Sequence, residues 1–173
     1  MEVIAKAVMF KVLVRLVKRS PVGNPQLWKI NETAVNYNAA VKAHNRALKS
    51  DASNLTKAGK LRKGLKVHDS MDIKKPGGYT GGRFRGNWQV TMDSAATEPM
   101  MDRIDKNGQS TLEFGLVALE EFKVGTTGIF ISNMLPYAYP LEYGHSTQAP
   151  QGMVRITARE FGSMLRTAIR ENT

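Results

Sequence analysis

The closing segment of the chain constrains its folding most sharply. Phe161, Met164, Leu165, Ala168 and Ile169 fall at i, i+3, i+4, i+7 and i+8, which a helix gathers into one apolar stripe that other parts of the chain have to cover. Thr157 and Glu160 stand at the spacing of a capping box for its start, and Arg166 and Arg170 lie near its end, where positive charge suits the helix dipole. Residues 3–17 predict a second helix, with Lys11, Arg15 and Lys18 aligned and Met9, Phe10, Leu13, Val14, Leu16 and Val17 filling a wide apolar face. A strand stays open there, because Phe10, Val12, Val14 and Leu16 also alternate with charge and valine favours sheets. Pro21 and Pro25 end the element in either case.

Between these ends a helix is expected over 32–49, capped by Asn31. Its small-residue face of Ala34, Val35, Ala39, Ala40, Ala43 and Ala47 buries little area, so it needs a partner surface. A weaker helix over 54–66 would be interrupted by Gly59 and Gly64. After the glycines at 77, 78, 81 and 82, Phe84, Trp88 and Val90 alternate with Arg83, Arg85 and Gln89, which predicts a strand over 83–92. Leu112, Leu116, Val117 and Leu119 predict a helix ending near Phe122 with Glu120 and Glu121 outward, and Ile129-Phe130-Ile131-Ser132-Asn133 predicts a short buried strand.

A chain of 173 residues fits one domain with one core, and a hydrophobic content of 42% excludes wholesale disorder. The complete absence of cysteine excludes disulfides, thiolate-zinc sites, iron-sulfur clusters and a cysteine nucleophile, and is compatible with assembly in a reducing cytoplasm. Lys6, Lys11 and Arg15 interrupt every apolar run near the start, and nothing approaches the ~20 apolar residues of a membrane span, so a soluble protein is expected.

The net charge of +10 is divided unevenly. Residues 1–75 hold 16 Lys or Arg against 5 Asp or Glu, a net of +11, whereas residues 76–173 hold 9 against 10. The densest basic run is Lys57, Lys60, Arg62, Lys63 and Lys66, followed by Lys74 and Lys75. Such a run neutralises phosphates without reading sequence, or docks on an acidic protein neighbour. Tyr37 is the only aromatic between Lys29 and Lys75, so a base-stacking platform is not expected.

Constellations for catalysis are missing. His44, His68 and His145 lie far apart without a metal-ligand pattern. Asp105-Lys106-Asn107-Gly108 has the look of a calcium loop, but with Gly108 sixth the first and twelfth positions fall on Arg103 and Phe114, which cannot be acidic ligands. The glycine cluster before Arg83 lacks the lysine-hydroxyl pair of a Walker motif. Gly82-Arg83-Phe84-Arg85-Gly86 is one copy of an RGG-like piece in a strand-like, Trp-containing context, which argues for structure. Glu120 and Glu121 point to adjacent sides of their helix, so shared acid-base work is not expected. No catalytic residue, metal site or cofactor is expected.

Two stretches nevertheless carry a resemblance. The first is Ser20-Pro21-Val22-Gly23-Asn24-Pro25 through Trp28-Lys29, resumed at Gly77-Gly78-Tyr79-Thr80-Gly81-Gly82-Arg83-Phe84-Arg85-Gly86-Asn87-Trp88. The second, more specific one runs from Ile129 through Asn133-Met134-Leu135-Pro136-Tyr137-Ala138-Tyr139-Pro140-Leu141-Glu142-Tyr143-Gly144 and resumes at Gln148-Ala149-Pro150-Gln151-Gly152-Met153-Val154. Together with the opening and closing helices they resemble the tail completion, or neck, proteins of long-tailed bacteriophages over about two thirds of the chain. Where the family pattern places only a few residues between Trp-Lys and Gly-Gly-Tyr, residues 30–76 intervene here, with 10 basic residues against 4 acidic ones.

The resemblance implies an α+β fold with a small antiparallel sheet packed by N- and C-terminal helices. It also implies one tail completion domain over 1–173, here carrying a helical, basic insertion at 30–76. It implies a non-enzymatic virion protein, assembled in the host cytoplasm, that forms a ring, expected to be a hexamer, at the head-tail junction. Its partners would be copies of itself, the adjacent head-completion or connector proteins and the tail tube or terminator proteins, with a passage for genomic DNA and no membrane. Tyr137, Tyr139, Glu142, Tyr143, Arg83, Arg85 and Trp88 are the expected contacts with neighbouring subunits, since clustered tyrosines and prolines make a stiff amphipathic surface. Arg83, Arg85 and the basic residues from Lys57 to Lys75 are the expected contacts to DNA or acidic partners. The alternative from another class is a basic nucleic-acid-binding accessory protein.

Overall fold

The structure, a computed structural model, describes residues 2–172. Its order of elements is α1 (Glu2–Arg19), α2 (Glu32–Leu48), a helical turn α3 (Arg83–Gly86), β1 (Trp88–Met92), α4 (Gln109–Glu120), β2 (Ile129–Asn133), a short α5 (Ala138–Glu142) and α6 (Val154–Glu171). The chain falls into two compact units, one made of Met1–Gly23 with Thr80–Thr173 and the other of Asn24–Tyr79. The fold is α+β.

In the first unit α1 is the central element. It is helical throughout, with Glu2 in its first turn and Lys18 and Arg19 in its last, an arrangement that suits the helix dipole and disposes of the strand alternative. It packs against both α6 and α4. Towards α6, Val8 joins Met164 and Ala168 of the closing stripe. Further along, Leu13, Leu16 and Val17 form the main core with Phe84, Trp88, Leu135, Ala149 and Met153. Strands β1 and β2 pair antiparallel from Trp88 opposite Asn133 to Met92 opposite Ile129. A two-stranded sheet is marginal alone, and here α1 and α4 support β1. Close approach of α4 to α1 depends on Gly115, where an added Cβ would lie 2.1 Å from the Leu13 Cδ2 atom.

In the second unit α2 is mostly exposed, and of its alanines only Ala34 is buried. An asparagine stripe anchors it instead. Asn31, Asn38 and Asn45 each donate a side-chain N–H to the carbonyl of one residue of the extended returning segment, Lys74, Met71 and Val67 respectively, all at 2.8 Å. Each side-chain oxygen accepts the N–H of that same residue at 2.8–2.9 Å. Trp28 and Tyr79 meet edge to face at 5.0 Å between ring centres, tying the unit's two ends together.

Several local expectations are corrected. Residues 54–66 form turns and a single bridge between Leu55 and Leu61, not a helix, since Gly59 and Gly64 adopt φ of +71° and +88°. The expected strand over 83–92 begins only at Trp88, after the helical turn. Asn31 makes no cap bond to α2, because its carboxamide is committed to Lys74 and to the Pro25 carbonyl. The α6 helix starts at Val154, so Thr157 and Glu160 lie inside it, where both meet Arg19 at 2.9 and 2.5 Å. In α4 the buried positions are Thr111, Gly115 and Leu119, while Leu116 and Val117 are exposed.

Candidate functional site

The residues of the two resemblance-bearing stretches divide into those that build the fold and those that are left over. In the first stretch the side chains from Arg83 to Trp88 are committed. Phe84 is buried against Trp88, 5.9 Å between ring centres. Trp88, only 5% exposed, donates its indole N–H to the Ser20 hydroxyl at 2.7 Å, which donates onward to the Leu16 carbonyl at 2.7 Å and so fixes the end of α1. The Arg85 guanidinium donates to the carbonyls of Lys106 and Ser20 at 2.6 and 2.7 Å. Burial lowers its pKa, an effect opposed by the nearby Asp105 carboxylate. Arg83 is half-buried and donates to the Met101 sulfur at 3.2 Å. Asn87, fully buried, donates to the Arg83 carbonyl and accepts from the Met100 N–H, both at 2.8 Å.

In the second stretch Glu142 is equally committed. Its Oε2 accepts the N–H groups of Met153 and Val154 at 2.7 and 2.9 Å, and its Oε1 accepts that of Arg155 at 2.9 Å. These are donors that the first turn of α6 leaves unmatched, so Glu142 caps that helix from a distance in sequence. Burial works to raise its pKa, but the Arg155, Met153 and Val154 N–H groups and the Arg155 guanidinium outweigh it and hold the carboxyl below its ordinary value. Gly152, at φ +79°, permits this approach, since a Cβ there would sit 2.3 Å from the Glu142 carbonyl oxygen.

Tyr139 and Tyr143 are what remains. Tyr139 on α5 and Tyr143 just after it are 71% and 59% exposed, and their rings meet at a tilt with centres 4.5 Å apart. The Arg155 guanidinium covers the Tyr143 ring at 4.7 Å. Tyr137 is partly exposed and lies 6.0 Å from the Phe84 ring. A depression of about 380 Å³ adjoins them, with Met134, Pro136, Tyr139 and Val154 among its walls. Proline at 136 and 140 and the clamp at Glu142 hold this surface in one shape, which limits the entropy lost on docking.

A second surface was not singled out from the sequence. Beside β1 and α4 lies a groove of about 690 Å³ walled by Gln89, Thr91, Met100, Met101, Arg103 and Phe114. Met101, Phe114 and Val117 are 63%, 59% and 67% exposed, and the Arg103 guanidinium lies 4.0 Å above the Phe114 ring. The signal for it was present: Leu112, Phe114, Leu116, Val117 and Leu119 put more apolar residues on α4 than one buried stripe can hold.

The basic residues are concentrated in the second unit. Residues 24–79 carry 11 Lys or Arg against 4 Asp or Glu. All 11, including Lys57, Lys60, Arg62, Lys63, Lys66, Lys74 and Lys75, are exposed, and none of them takes part in an ion pair among the described residues. In the other unit Lys6, Lys11, Arg15, Arg19 and Arg155 all pair with glutamates.

Among the described residues no three His, Asp or Glu side chains converge as a metal site, and no helix is long and apolar enough to cross a membrane. Comparison with known protein families, curated proteins and solved structures finds no match.

Proposed function

We propose that the protein is a structural subunit of a tailed bacteriophage, a tail completion or neck protein that joins copies of itself into a ring between head and tail and leaves a passage for DNA. The observation that carries this reading is the Tyr139–Tyr143 pair, two large exposed aromatics that meet one another beside residues with a folding role. Aromatic and arginine side chains on a stiff support are what protein interfaces favour. The groove beside Phe114 and Met101 supplies a different apolar surface, and a head-to-tail ring needs two unlike patches on each copy. Trp88 and Glu142 contribute by walling the depression beside the tyrosines. The ring is expected to have six copies and to meet head-completion or connector proteins on one side and tail tube or terminator proteins on the other.

Labelling this polypeptide in virions and viewing them by electron microscopy tests the reading: the label is expected at the head-tail junction. Mature particles that lack the polypeptide, or carry it elsewhere, overturn it. The unpaired cations of residues 24–79 favour a second reading, a nucleic-acid-binding accessory protein. Salt-sensitive binding to random duplex DNA by a dispersed monomer, with no ring particles, would support that reading instead.

A further inference from the structure

Asn31, the residue before α2, and Asn38 and Asn45 within it form a device of their own. They recur every seven residues, two helical turns, so they share one stripe about 10.5 Å apart along the axis. The residues they hold, Lys74, Met71 and Val67, are three and four apart, a separation that an extended chain at ~3.1–3.4 Å per residue covers in a comparable ~9–14 Å. Each carboxamide engages both the N–H and the C=O of one residue, as a neighbouring strand does at a doubly bonded position. The helix thus presents a row of backbone-matching groups that takes an extended chain without reading its side chains.

The segment seated there is held by little else. Val67 and Met71 stay exposed, and Tyr37 reaches across to the Asp69 carboxylate. Residues 49–66, which lead into it, contain only a three-residue 3-10 turn and the one bridge, and Pro76-Gly77-Gly78 follows it. It is an arm between two connectors, docked through bonds that an identical arm from another copy would make equally well. Where copies are held side by side, neighbouring arms are present at high effective concentration, and exchange costs no contact.

We propose that the asparagine stripe of α2 is the seat for residues 67–74 of an adjacent copy, the arm exchanging from its own helix to the neighbour's when the ring forms. This rests on the ring reading above. The cysteine-free chain allows a direct test. One full-length copy carries Tyr37→Cys, a second, mass-tagged copy carries Asp69→Cys, and the mixture is assembled and treated with a short bis-maleimide. A single chain bearing both substitutions, kept dilute, calibrates the reach of the reagent. Covalent pairs of the two copies are expected in assembled material, falling roughly tenfold or more when Asn38→Ala and Asn45→Ala are added. Rings that yield only crosslinks within the doubly substituted chain overturn the exchange and leave the ring reading intact. A monomeric mass at every concentration overturns both.

Discussion

Asp105 shows how one side chain sets a local structure. Its Oδ1 accepts the Gly108 N–H at 2.7 Å, and its Oδ2 accepts from the Ser110 hydroxyl, the Thr111 N–H and the Thr111 hydroxyl at 2.8–2.9 Å. Four donors at the start of α4 therefore converge on one carboxylate. Burial acts to raise the Asp105 pKa, but the bonds from Thr111, Ser110 and Gly108 outweigh it and bring it down from 3.8 to about 2. A carboxyl whose folded pKa is depressed stabilises the fold above its unfolded pKa, and loses that contribution as pH falls through the folded one. The Asp105 contribution is thus complete above about pH 4 and fades between roughly pH 4 and 2. Asp105→Asn keeps the shape but turns an NH2 group towards donors, so urea unfolding at pH 7 should show a loss of about 1–2 kcal/mol, the cost of a lost cap. The gap between wild type and variant should narrow as pH is lowered towards 2; a constant gap would show that the charge does not matter. Glu142 follows the same rule at the start of α6. Glu142→Gln should cost a similar ~1–2 kcal/mol and raise amide exchange at Met153, Val154 and Arg155, whose N–H groups it accepts.

Among the elements, the contact of α1 with α4 leaves no room for added volume at Gly115. Gly115→Ala would drive a methyl group into Leu13, which is fully buried, and overpacking of this kind costs about 1–3 kcal/mol. Leu13→Ala alone removes core volume at about 2–5 kcal/mol. Combined, the two should be less destabilising than their sum, since each relieves the other; strictly additive unfolding energies would place the strain elsewhere. This contact also marks how far the sequence could be read. The apolar and charged spacing located α1, α2 and α6 within a few residues, although at α1 it left a strand open, and 129–133 is the expected strand β2 but only half-buried. The same spacing marked the buried face of α4 only in part: Leu119 is buried and Leu112 packs on the core, but Leu116 and Val117 are exposed, and Gly115, where the backbone comes close to Leu13, and Thr111, which bonds Asp105, take buried positions instead. Residues 83–86 read as strand from alternation, yet the Asn87, Arg85 and Gly86 contacts with residues 103–106 wind them into a turn. The exposed Tyr139 and Tyr143 were legible as candidate site residues. That Trp88, Arg85 and Glu142 turn inward was not, because their partners Ser20, Lys106 and Met153 lie at separations no local pattern encodes.

At the scale of the whole molecule, charge is handled in two ways. Residues 24–79 keep a net +7, from 11 basic and 4 acidic residues, with no ion pair among them, while the rest of the chain holds 14 against 11 and forms all five described pairs. Exposed cations without acidic partners attract polyanions, and each phosphate they neutralise releases counterions, adding about 0.9 to the slope of log affinity against log salt for duplex DNA. Lys57, Lys60, Lys63 and Lys66 all lie in the segment that forms no helix, so glutamine at these four positions removes charge at little structural cost, within about 0.5 kcal/mol each. In a titration of random duplex DNA against the full-length protein, the slope should fall by up to ~4 in the quadruple variant, with its oligomeric mass unchanged. An unaltered slope would mean that these lysines meet no phosphate, and that the basic unit faces an acidic protein neighbour. A changed mass would place the lysines in subunit contacts, where their positive charge would have to be met by carboxylates of the adjoining copy.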